Sequence, residues 1–156
     1  MPAGDARKRS PSRPRIVADT MVWVAATVGQ AGSVSRALLD AFVAGDIEIV
    51  SSGPLVRELA DVLIELDRPA DFVERIVALI CAHAEIVAIQ HQVMGCADPK
   101  DDPSLETALT GRADYVVTLD KRLLQLPPHV AEYFQRRGVS IVKPGGFAAL
   151  VGITSS

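Results

Sequence analysis

Arg15-Ile16-Val17-Ala18-Asp19-Thr20 is a short β-branched apolar run that ends on a carboxylate. Tyr115-Val116-Val117-Thr118-Leu119-Asp120 repeats that shape late in the chain. Strands buried on both faces of a parallel sheet read as apolar runs without polar alternation. In such folds function gathers beyond the carboxyl ends of the strands, where strand order reverses. Two strands that each deliver an Asp to that edge predict an acidic site built by the fold.

Outward from these runs, strands and helices alternate. Met21 to Val28 opens a short helix broken by Gly29 and Gly32. Ser33 caps a helix with Val34, Ala37, Leu38, Ala41 and Phe42 at helical spacing, stopped by Gly45. Ile47 to Val50 reads as a strand, and Pro54 sits in the first turn of the helix that follows. That helix carries Leu55, Leu59, Val62, Leu63 and Leu66 on one face and ends at Asp67-Arg68-Pro69. A further helix through Phe72 and Ile80 leads to a strand over Glu85–Ile89 and a loop over 90–100. A helix from Asp101 to Thr110 precedes the Asp120 strand. A helix from His129 to Arg136, a strand over Val139–Val142 and a helical turn over Phe147–Val151 complete the domain. The pattern predicts a three-layer α/β domain with a mostly parallel sheet.

The chain has 156 residues, enough for one domain with a sizeable core. With 49% hydrophobic and 4% aromatic residues, that core is aliphatic. No window reaches the length of a membrane span and no stretch has the layout of a secretory leader. Cys81 and Cys96 have neither metal-ligand nor redox spacing. The expectation is a reduced, cytoplasmic protein with no membrane partner. Arg7, Lys8, Arg9, Arg13 and Arg15 gather five of the 16 basic residues at the start; beyond them 11 basic residues face 18 acidic ones. Residues 1–14, with Pro2, Pro11 and Pro14, read as a disordered basic arm, either an RNA-attracting segment or a plain extension. The domain spans 15–151, and 152–156 forms a flexible tail. Because the domain is acidic, phosphate chemistry here calls for a cation between protein and substrate.

Four acidic positions stand out: Asp19 and Asp120 at strand ends, Glu58 one turn into a helix, and Asp101 at a helix start. Each also has a structural reading. Glu58, Asp61 and Glu65 share a helix face that solvent can cover, and Asp98, Asp101 and Asp102 suit an N-cap or first turn. Asp is a poor strand residue, so two strand-ending aspartates are harder to explain structurally. Crowded carboxylates repel unless a cation binds, and oxygen ligands without His or Cys select Mg²⁺ or Mn²⁺. His83, His91 and His129 are scattered. No phosphate-binding loop, dinucleotide turn or nucleophile elbow is present.

These motifs resemble the PIN-domain ribonucleases, in particular the VapC-like toxins of toxin–antitoxin pairs. Arg15 to Met21 looks like the family's opening strand with its Asp-Thr-Asn signature, and Ser52 to Leu59 like its second acidic motif. Asp98-Pro99-Lys100-Asp101-Asp102-Pro103-Ser104-Leu105 is similar to the loop-to-helix that carries the third acid. Gly111 to Asp120 is similar to the strand that carries the fourth. The resemblance implies a PIN-like α/β/α domain with a five-stranded sheet in the order 3-2-1-4-5. It implies catalytic, metal-binding roles for Asp19, Glu58, Asp101 and Asp120, with the Thr20 and Thr118 hydroxyls beside them. It further implies hydrolysis of RNA phosphodiester bonds with Mg²⁺ or Mn²⁺, leaving 5′-phosphate and 3′-hydroxyl ends. A homodimer and a cognate antitoxin protein complete the implied partners. The chain departs from the family pattern at Met21, where Asn is usual, and at Pro103 and Ser104, which replace a polar-plus-aromatic pair. An alternative follows from Met21: a weakly catalytic PIN domain that binds RNA or a protein.

Overall fold

Val17 at the centre of the first apolar run is fully buried, as are Val50, Val116 and Val117 on neighbouring strands. The computed structural model describes residues 13–90 and 102–154. Within them the elements run β1 (Arg15–Ala18), α1 (Thr20–Val28), α2 (Val34–Ala44), β2 (Glu48–Ser52), α3 (Gly53–Glu65), α4 (Ala70–His83) and β3 (Glu85–Val87). They continue as α5 (Pro103–Thr110), β4 (Tyr115–Val117), α6 (Lys121–Leu124), α7 (Pro128–Arg136), β5 (Ser140–Val142) and α8 (Pro144–Val151). The strands form one sheet in the order β3-β2-β1-β4-β5. Every pairing is parallel, with Ile16 opposite Ile49 and Val17 opposite Val116. The expected sheet order is therefore the observed one.

Alternate residues of each strand supply two separate cores, as the two-residue strand period requires. Ile16, Ile49 and Val117 meet the helices on one face, with Trp23, Leu38, Phe42, Leu59, Leu63, Ile80 and Phe147. Val17, Val50 and Val116 meet those on the other, with Leu105, Ala108, Leu123, Val130 and Phe134. Ile153 packs back against the first of these cores.

Local chemistry sets the joints. The Ser33 side chain accepts the Arg36 N–H at the start of α2, and Gly45, with φ 85°, ends that helix in the left-handed region. Gly111 follows α5 because a Cβ there would stand 2.3 Å from Val50 Cγ1. Arg15, the first residue of β1, is buried. Its Nε donates to the Gly111 carbonyl at 2.7 Å and its Nη2 meets Glu85 at 2.9 Å, joining three segments at the edge opposite the strand ends.

Some boundaries differ from the sequence expectation. The sheet ladder of β4 stops at Val117, and the chain enters α6 at Lys121, a four-residue helix that is too short to show periodicity. β3 ends at Val87 rather than Ile89, and α8 begins at Pro144, making it longer than one turn. Most of the expected 1–14 arm and of the 90–100 loop, Asp101, and residues 155 and 156 lie outside the described residues.

Candidate active site

Asp19 stands where β1 becomes α1. Its N–H donates to the Val117 carbonyl at 2.9 Å, tying it to β4, and its own carbonyl accepts the Val22 N–H that opens the helix. The side chain caps nothing. Instead Oδ1 accepts from Ser104 Oγ and Oδ2 from Thr118 Oγ1, each at 2.8 Å. Both hydroxyl residues are buried. The Asp19 carboxylate is thus aimed across the carboxyl edge of the sheet by uncharged donors.

Two more acids come to that edge. Glu58, on the second turn of α3, accepts from Thr20 Oγ1 at 2.8 Å, which links α3 to the residue after Asp19. Asp102 caps α5, its Oδ1 accepting from Ser104 N at 2.8 Å and Leu105 N at 3.4 Å. Burial pushes the Asp102 carboxyl above its ordinary range. The two N–H bonds pull it down, while the charges of Asp19 and Glu58 push it up again. Those couplings put all three carboxylates in one electrostatic neighbourhood.

Asp120 is held differently. It caps α6, with Oδ1 accepting the Arg122 N–H at 2.9 Å. The Arg122 guanidinium closes on both oxygens, Nε to Oδ1 at 3.3 Å and Nη2 to Oδ2 at 2.8 Å. That pairing holds the Asp120 carboxyl below its usual range. Thr118 joins the two strand-ending acids, since its Oγ1 accepts the Asp120 N–H at 2.9 Å while donating to Asp19.

Asp19, Glu58, Asp102 and Asp120 thus lie toward the carboxyl edge of a 3-2-1-4-5 parallel sheet, with Thr20 and Thr118 beside them. A PIN-domain family model matches residues 15–122. The chain belongs to the PIN-domain family. Comparison with curated proteins gives no match. PIN domains are in general nucleases, so membership supports nuclease-type activity.

The donor chemistry fits a hard divalent cation: carboxylate and hydroxyl oxygens, and a half-buried Asp102 with the negative charges of Asp19 and Glu58 beside it. Among the described residues no three acidic, His or Cys side chains already form a closed ligand group. Asp101, the expected third acid, lies outside the described residues. From the sequence alone Asp102 reads as a candidate helix cap, and Ser104 carries no functional signal. The readable signal is Asp-Pro at 102–103, an N-cap followed by Pro at the first helical position, which starts α5 two residues later than expected. That shift turns Ser104 toward Asp19. Arg122 was also missed, because two residues past a strand end it reads only as surface charge.

Proposed function

We propose that this chain is a divalent-metal-dependent endoribonuclease, using Mg²⁺ or Mn²⁺ to hydrolyse RNA phosphodiester bonds. The observation that carries the reading is the pair of neutral hydroxyls, Ser104 and Thr118, that fix both oxygens of Asp19 while leaving its charge uncompensated. Asp19, Glu58, Asp120 and an acid at the start of α5 would hold the ion. Asp101 fills the last place by motif and Asp102 by its coupling to Asp19 and Glu58. A divalent ion there supplies the Lewis acidity that activates water and offsets charge on the phosphate. The protein's own part is to orient the ligands: Thr118 and Ser104 for Asp19, Thr20 for Glu58, and the α5 N-terminus for Asp102. No His general base is needed in this arrangement.

Within that reading, the motif resemblance supports a cytoplasmic, homodimeric VapC-like toxin restrained by a cognate antitoxin protein. No helix among the described residues is long and apolar enough to cross a membrane. A second reading rests on Met21, which is 49% exposed beside Thr20 and lacks the amide usual there. It makes the chain a weakly catalytic PIN domain that binds RNA or a protein. Incubating the protein with a generic single-stranded RNA, in Mn²⁺ and in EDTA, separates the two. Metal-dependent cleavage that disappears in Asp19→Asn supports the nuclease; RNA binding without cleavage at saturating Mn²⁺ supports the second reading.

A further inference from the structure

The side chain of Arg122 is 85% exposed, yet Nε and Nη2 along one edge of its guanidinium both donate to a single partner, the Asp120 carboxylate. We propose that Arg122 is the residue that positions the RNA phosphate, and that it is released for this role when a divalent ion takes over Asp120. The inference rests on the metal-nuclease reading above and adds a residue to it.

Three observations carry it. First, the two donors of Arg122 straddle two acceptor oxygens of one planar group. A phosphate presents the same paired acceptors, and arginine is the side chain whose geometry suits both. Second, the Asp120 carboxylate does not depend on the guanidinium for its position. Oδ1 is also held by the Arg122 backbone N–H at 2.9 Å, and the Asp120 N–H is held by Thr118 Oγ1 at 2.9 Å. The bond from Nη2 to Oδ2 can therefore be exchanged for a cation while the α6 cap stays intact. An ion pair this exposed contributes little and exchanges readily. Third, Arg122 lies within the field of the acidic edge, since Asp102 and Asp19 both act on its guanidinium through space. An RNA phosphate approaching these carboxylates meets repulsion, and a released guanidinium at the rim offsets it.

A purely structural Arg122, serving only to staple α6, makes different predictions. The test compares wild type, Arg122→Ala and Arg122→Lys by Mn²⁺ calorimetry and by steady-state cleavage of a short RNA. With the competitor removed, Arg122→Ala binds Mn²⁺ about two- to fivefold more tightly, the range expected for losing an exposed ion pair. It also raises KM for RNA about tenfold or more, the size of a lost charge-assisted phosphate contact, with a smaller change in kcat. The log KM against log salt slope falls by about one unit, as for one phosphate contact. Arg122→Lys, with the charge but not the fork, falls between the two. Unchanged or weaker Mn²⁺ binding in Arg122→Ala overturns the proposal, and so does an unchanged KM. A wild-type protein that neither binds Mn²⁺ nor cuts RNA overturns the nuclease reading itself, and this proposal with it.

Discussion

At the end of β1 the chain turns into the nine-residue α1, and the Asp19 side chain takes no part in capping it. At the end of β4 it turns into the four-residue α6, and Asp120 is that helix's cap. The two aspartates are joined through one residue, Thr118, yet their charges are managed in opposite ways. Asp19 is held by hydroxyls, which fix its direction and leave its charge available. Asp120 is capped onto α6 by the Arg122 N–H and paired with the Arg122 guanidinium, which already offsets its charge. A site that binds a cation needs the first kind of carboxylate at its centre; the second kind has a partner to give up first.

Substituting both acids tests this contrast most strongly. Asp19→Asn keeps the shape and most hydrogen bonding but removes the charge, and is expected to lower metal-dependent RNA cleavage by more than about 100-fold, beyond the usual cost of losing a supporting contact. Asp120→Asn retains the α6 cap and is expected to lower cleavage by less. Equal losses in single-turnover assays would remove the distinction between the two strand ends.

The pH dependence of stability sharpens the comparison. The Asp102 carboxyl is raised in the folded protein, chiefly by burial. Its charged form therefore destabilises the fold above that raised pKa, and the penalty disappears as pH falls and the group protonates in both states. Asp102→Asn keeps an acceptor for the α5 cap, so the metal-free protein should melt higher than wild type at neutral pH. That gain should shrink toward acid. Asp120 is lowered, chiefly by the Arg122 side chain, so its contribution is present above the ordinary carboxylate range and is lost as pH falls through the lowered value. Asp120→Asn should therefore melt slightly lower at neutral pH, with the difference again vanishing in acid. Thermal melts in EDTA from neutral pH to acid read both, and two shifts of the same sign would contradict this electrostatic picture.

The smallest stability effect is expected at Met21, which is half exposed at the start of α1 rather than part of the core. Met21→Asn should change stability by no more than about 0.5 kcal/mol. Under the nuclease reading it should also increase cleavage at limiting Mn²⁺, by as much as about tenfold, through an added amide near the ligands. A lower melting temperature with unchanged metal dependence would show that the position has no part in the site.

Much of the fold was legible because its determinants are local. Apolar runs without alternation mark the buried strands, Ser33 and Gly45 bound a helix, and Asp19 marks the carboxyl end of β1. The sheet order came from the family motifs, since nothing local says which parallel strands are neighbours. What escaped was set by residues that meet only in the folded chain. The bond from Ser104 to Asp19 spans 85 positions, and that from Thr118 to Asp19 spans 99. Thr118 had been picked out by the motif, but its double role as donor to Asp19 and acceptor from Asp120 depends on tertiary placement. The ion pair of Asp120 with Arg122 lies only two residues apart, but it requires α6, which is too short to leave a periodic signal. Glu58 shows the remaining ambiguity: it is exposed on α3, as a solvated residue would be, and the Thr20 hydroxyl and its charge coupling to Asp102 distinguish it from Asp61.

In the proposed function Asp19 anchors a divalent-cation site at the carboxyl edge of the sheet. Melting temperature measured across a Mn²⁺ titration, for wild type, Asp19→Asn and Asp61→Asn, tests it directly. Binding to the folded state alone stabilises by mass action, about 2.7 kcal/mol at a hundred times Kd. A rise with Mn²⁺ is expected in wild type and Asp61→Asn, and little or none in Asp19→Asn. A flat wild-type titration, or an equal rise in Asp19→Asn, would contradict it.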